Sequence, residues 1–197
     1  MACGLLLEAE WDGIGRRFRT RDLEGDVTHE DVITLDVKLL PVLEEAAMRA
    51  MLREALRAAG WEEADDGSLV HEGEGVVARL DPTGATVTMR ASATIRVTAQ
   101  GTATVTGDEK AAEKAAEEAA RKALETAKTR TKEGLAAKTL GDLVRQEPGI
   151  RATVQTALNR VYRESLETRA RALGEVESVQ ERGDAQGSFE VIITVKA

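Results

Sequence analysis

Between Ala85 and Thr106 apolar and polar residues alternate almost without error. Val87, Met89, Ala91, Ala93, Ile95, Val97, Ala99, Ala103 and Val105 fall on one side. Thr86, Thr88, Arg90, Ser92, Thr94, Arg96, Thr98, Gln100, Thr102 and Thr104 fall on the other. A period of two sustained over this length is the signature of extended chain, because successive side chains of a strand point to opposite faces. It commits the protein to a sheet with one covered face and one wet, threonine-rich face. At about 3.3 Å per residue the segment reaches roughly 70 Å, longer than an ordinary strand. The sequence therefore predicts a bend or break near Gly101, as one bent strand or a hairpin.

Helical patterns flank this segment. Leu43, Ala47, Met48, Met51, Leu52, Ala55, Leu56 and Ala59 recur at three- and four-residue spacing, with Glu44, Glu45, Arg49, Arg53 and Arg57 on the other side. Pro41 suits a first helical position and Gly60 a stop. After the alternating segment, Asp108 or Thr106 offers an N-cap to a long Ala/Glu/Lys/Arg helix. Its apolar positions are mostly alanine (Ala112, Ala115, Ala116, Ala119, Ala123), a seam that lets a neighbouring backbone come close. The pattern weakens from Thr129 to Gly134, resumes from Leu135 to Gln146, and Pro148-Gly149 predicts its end. A third helix follows on Ile150, Val154, Leu158, Val161, Tyr162, Ser165 and Ala172, stopped by Gly174.

The remaining segments read as strands and turns. Leu5 to Trp11 suggests a first strand, while Gly13 to Asp36 reads as a strand tail and a mobile loop, with Thr34 to Val37 extended. Trp61 to Gly67 is an exit strand ending in an Asp-Gly turn. Ser68 to Glu72 and Val76 to Leu80 are short strands, followed by the turn Asp81-Pro82-Thr83-Gly84. Glu175 to Glu181 and Phe189 to Val195 form a terminal hairpin about Gly183 to Gly187. The order helix, Gly, strand, turn, strand thus occurs twice, from Leu43 to His71 and from Val154 to Val195. This predicts an α+β fold, with two helix–strand–strand units on an antiparallel sheet. The expectation is a single domain over residues 1–197, with an insertion at 85–147 made of the long strand and the alanine-rich helix.

Composition narrows the function. Leu, Ile, Val and Phe make up roughly 22% of the 197 residues, near the level below which disorder becomes the default, so the core is lean. The 27 basic and 35 acidic side chains leave a net charge of −8. That disfavours nucleic acid and anionic membrane as partners, since both bind through basic surface. Cys3 is the only cysteine, which excludes an intrachain disulfide and cysteine-based metal clusters. Leu5-Leu6-Leu7 runs straight into Glu8 and is too short for a signal peptide, and no apolar run reaches membrane-spanning length. The expected compartment is the cytoplasm.

Local chemistry is sparse. His29 and His71 lack metal spacing and read as ordinary strand or surface residues. Glu62, Glu63, Asp65 and Asp66 do not follow a calcium-loop pattern and read as solvated carboxylates. Gly13-Ile14-Gly15 is a fragment of a phosphate loop with neither a GxGxxG nor a P-loop pattern. The strongest local binding feature is the group Arg16, Arg17, Arg19 and Arg21, four guanidinium groups on an otherwise acidic protein that suit a carboxylate or phosphate. Arg90 and Arg96 on the threonine-rich face join them as candidates. No catalytic residues, no metal site and no cofactor are predicted.

Met51-Leu52-Arg53-Glu54-Ala55-Leu56-Arg57-Ala58-Ala59-Gly60-Trp61, running into Glu62, Glu63 and Asp66-Gly67, resembles one half of the Ycf-type conserved domain of unknown function. Leu158-Asn159-Arg160-Val161-Tyr162 and the segments to Lys196 resemble its terminal helix and hairpin. Related domains are similar to accessory X components encoded beside AAA+ ATPases and von Willebrand A-type proteins in bacterial ternary systems of MoxR or FtsH type. The resemblance covers residues 40–80 and 150–197. It implies a non-catalytic adaptor with a protein partner, an AAA+ ATPase or a von Willebrand A-type protein. Two alternatives from other classes stay open. One is a small-anion or phosphate-binding protein or enzyme using the same arginines. The other is a structural subunit that self-assembles through the long alternating strand, giving a homo-oligomer.

Overall fold

A computed structural model of the protein describes residues 6–11, 17–106, 108–183 and 189–196. In chain order the elements are β1 (Leu6–Trp11), β2 (Arg17–Asp36), α1 (Glu45–Ala58), β3 (Glu62–Glu63), β4 (Leu69–Gly73), β5 (Val76–Leu80), β6 (Thr86–Thr104), α2 (Glu109–Arg171), β7 (Glu175–Gly183) and β8 (Phe189–Lys196). The fold is α+β, as the pattern predicts. Six strands form one sheet in the order β1-β2-β6-β5-β4-β3, and β7 and β8 pair in a second sheet. The second helix–strand–strand unit therefore has a sheet of its own.

The alternating segment is one strand. β6 runs without interruption through Gly101 and lies between β2 and β5 in the strand order, with β5 paired along Val87–Ala91. Its pairing with β5 is antiparallel, with Val87 opposite Leu80 and Ala91 opposite Val76. Along β2, the Val37 N–H donates to the Ala85 carbonyl, while Thr28 and Asp26 meet Thr94 and Arg96. The order is reversed between the two strands, so they too run antiparallel.

The chain divides into two compact units, residues up to Asp31 with Ser92–Gly141, and Val32–Ala91 with Asp142 onward. Within the first, α2 packs its alanines on the strands. Ala112, Ala116 and Ala120 are buried. A Cβ built on Gly101 would lie 2.1 Å from the Ala120 amide nitrogen and 2.2 Å from the Ala116 carbonyl oxygen. Glycine is required there because helix backbone rests directly on strand backbone. Deeper along the helix, the buried Thr139 hydroxyl lies 2.5 Å from Asp31 Oδ2, and His29 Nε2 is 3.3 Å from the same oxygen.

The second unit holds the larger side chains. Met48, Leu52 and Leu56 of α1 join Trp61, Leu69, Val76, Leu80, Val87 and Met89, closed by Leu143, Ile150, Val154 and Val161 of α2. Each of these is almost fully withdrawn from water, the main source of stabilisation for such a core. The first helix begins at Glu45 rather than at Pro41, and ends as the glycine predicts. Gly60 adopts φ +89°, its N–H donates to the Arg57 carbonyl, and the Trp61 N–H donates to the Leu56 carbonyl. This is a Schellman C-cap, and it turns Trp61 into the core. The Asp81–Gly84 turn also forms as expected, closed by the Gly84 N–H on the Asp81 carbonyl.

Two further sequence expectations are overturned. The mobile loop expected between Gly13 and Asp36 is, from Arg17 onward, a 20-residue strand. Its charged residues look loop-like in sequence, but opposite β6 covered and exposed residues alternate from Leu23 to Asp36. Val27 is buried, and a Cβ on Gly25 would meet Lys128 Cε at 2.7 Å, so the glycine admits a helix side chain. The two helices expected on either side of Pro148 are one 63-residue helix with the proline inside it. A mid-helix proline costs about 3 kcal/mol through the lost N–H and the clash with the preceding turn. Leu143 on one side and Ile150, Val154, Ala157 and Val161 on the other enter the same core, which holds the helix through the break.

Candidate interaction surface

The arginines singled out by sequence occupy different settings. Arg16, with Gly13 and Gly15, lies outside the described residues. Arg17 pairs by backbone with Trp11 at the start of β2. Arg19 ion-pairs with Glu109 in the first turn of α2, 3.2 Å away. Arg96 Nε lies 3.3 Å from Asp26 and a second nitrogen 3.9 Å from Glu24. Arg90 is exposed, engaged within the chain, and falls in the second unit, whereas Arg19, Arg21 and Arg96 fall in the first.

Arg21 differs from its neighbours. It is half-buried, its Nε is fully covered, and that nitrogen has no hydrogen-bond partner among the described residues. A buried donor without an acceptor costs about 1–3 kcal/mol relative to a satisfied one. The guanidinium also has no carboxylate within ion-pair distance among the described side chains, although Arg19, two residues earlier on the same face, has Glu109.

The second unit carries a paired ionic cluster around the β3–β4 hairpin. Arg53 and Arg57 project from one face of α1 to the two oxygens of Glu63, and Arg53 Nη2 also reaches the Gly67 carbonyl at 2.7 Å. The Arg57 hydrogen bond, with Arg53 beside it, holds the Glu63 carboxyl below its usual range. Asp66 is lowered too, first by the Ser68 hydroxyl and N–H and then by Arg79. His71 stacks on Trp61 with centroids 5.6 Å apart, beside an open cleft of about 470 Å³ lined by Glu62, Glu63, Glu72 and Arg79. Among the described residues no group of three or more His, Cys, Asp or Glu side chains is placed to hold a metal ion. Sequence reading missed this cluster as a unit. The signal was present in Arg53 and Arg57, one helical turn apart, followed by Glu63 just past the glycine stop.

No helix among the described residues is long and apolar enough to cross a membrane. None of the curated proteins and none of the solved structures matches the chain. A family model described as FtsH ternary system domain X5 matches residues 14–196, which takes in every element from β2 to β8. It agrees with the resemblance to accessory X components of ternary systems. The chain belongs to the FtsH ternary system domain X5 family.

Proposed function

We propose that the protein is a non-catalytic accessory component that binds a protein partner, the AAA+ ATPase of its ternary system, and presents or positions substrates for it. Family membership supports an accessory role, and the observation that carries a binding surface is Arg21. Arg19 and Arg96 are neutralised by the protein's own carboxylates, while the covered Nε of the half-buried Arg21 has no hydrogen-bond partner among the described residues. Such a group accepts an incoming carboxylate at reduced cost, because part of its desolvation has already occurred on folding. Arg16 and Arg17 precede it in the same basic run of the sequence.

The test is affinity purification of the tagged protein from its native host, with and without Arg21→Glu. Stoichiometric recovery of an ATPase with the parent and its loss with the variant, at unchanged melting temperature, is the expected result. Equal recovery with both proteins removes Arg21 from the interface. A phosphate-binding protein instead gains stability with inorganic phosphate or nucleotides, about 2.7 kcal/mol at 100 times the dissociation constant. No such shift is expected.

A further inference from the structure

The strand edges of the protein are treated unequally. At one end of the large sheet β3 is two residues long and both are glutamates, and β1 at the other end carries Glu8 and Glu10. Short length and charge are the usual means of keeping an edge from pairing with other chains. In the small sheet β7 carries Glu175, Glu177 and Glu181, with a register irregularity between Val176 and Ser178. β8 has none of these devices. Between Glu190 and Lys196 it reads Val-Ile-Ile-Thr-Val, with no charge, proline or glycine. Ile192 is 40% exposed on one face, and Val179, which faces Ile193 on the other, is 37% exposed. A two-stranded ribbon is marginal in water, whereas a wider sheet with an apolar face is not.

We infer that β8 is a homodimerisation edge, taking as its occupant β8 of a second copy in antiparallel register about Ile193. That register sets Val191 against Val195 of the second copy and Ile193 against its own equivalent, and within each hairpin Val179 and Val176 face Ile193 and Val195. The polar row matches as well. Glu190 falls opposite Lys196 of the second copy, and the two-fold axis repeats the pair, so the only charges on the edge neutralise one another. Antiparallel cross-strand pairs of opposite charge stabilise a sheet and like charges oppose it. A two-fold, self-complementary contact is the commonest form of homo-oligomer. The inference is independent of the accessory role proposed above.

A charge-swap experiment on the full chain tests it. Light scattering after size exclusion should give twice the 21.2 kDa chain mass at high protein concentration and the single mass on dilution. E190K and K196E should each shift the protein to monomer, and the double variant E190K/K196E should recover the dimer. Within one hairpin Glu175 faces Lys196 and Arg182 faces Glu190. The double reversal puts like charges at both of those positions, so a purely intramolecular role makes it worse than either single variant. Protection of the β7–β8 amides from hydrogen exchange checks that each hairpin is folded. A parent protein that is monomeric at every concentration, or a double variant that stays monomeric with its hairpin intact, overturns the proposal.

Discussion

The two compact units show two ways of covering a sheet with the same helix. In the first, α2 offers Ala112, Ala116 and Ala120, and the strand answers with Gly101. In the second, the helix offers Leu143, Ile150, Val154 and Val161 to a core built from Met48, Leu52, Leu56, Trp61 and Met89. The alanine contact removes little apolar area per residue, and its quality rests on backbones touching without a gap. The second draws on volume, at roughly 0.8 kcal/mol for each buried methylene. One contact is therefore sensitive to added atoms and the other to lost ones.

Opposite substitutions in the two units break this comparison in opposite directions. The largest effect is expected from Leu52→Ala in the second unit, where the side chain has no solvent exposure. Removing it should cost about 2–5 kcal/mol by chemical denaturation. Gly101→Ala in the first unit adds one methyl group and should cost about 1–3 kcal/mol, because the obstacle is helix backbone rather than a flexible side chain. Amide exchange should show the Gly101→Ala loss concentrated around the first part of α2. If Gly101→Ala is neutral, backbone contact does not set the packing there.

The smallest effect concerns acid, and it sharpens the contrast between core and rim. Glu63 and Asp66 are both held below their usual carboxyl range in the folded protein. A depressed folded-state pKa gives stability that is present above the unfolded-state value and is lost as pH falls through the folded one. Both groups are solvent-exposed and screened, so the contribution is small. Asp66→Asn should melt slightly below the parent at neutral pH, with the gap closing on acidification below the carboxylate range. A gap that persists in acid assigns the loss to the Ser68 turn rather than to charge.

Much of the architecture was legible because it is local. Gly60 had to end α1, since only glycine readily takes the positive φ that lets Trp61 swing into the core. The Asp81-Pro82-Thr83-Gly84 sequence carries its own turn, and period two in β6 could not be read as a helix. The ionic cluster was half visible, with Arg53 and Arg57 one helical turn apart. Arg21 was visible as an arginine, but that its Nε is covered with no partner among the described residues depends on neighbours distant in sequence.

The sequence by itself determined the α+β class, the C-terminal end of α1 and the alternation of the long strand, because each follows from backbone preference or from the pattern of a few neighbouring residues. Only the tertiary structure decided that β2 is a strand and that α2 continues through Pro148. Residues 17–36 have too many charges to declare a face until β6 lies beside them. The proline's local cost is outweighed by Leu143 and Ile150 entering one core, an energy no window of sequence contains.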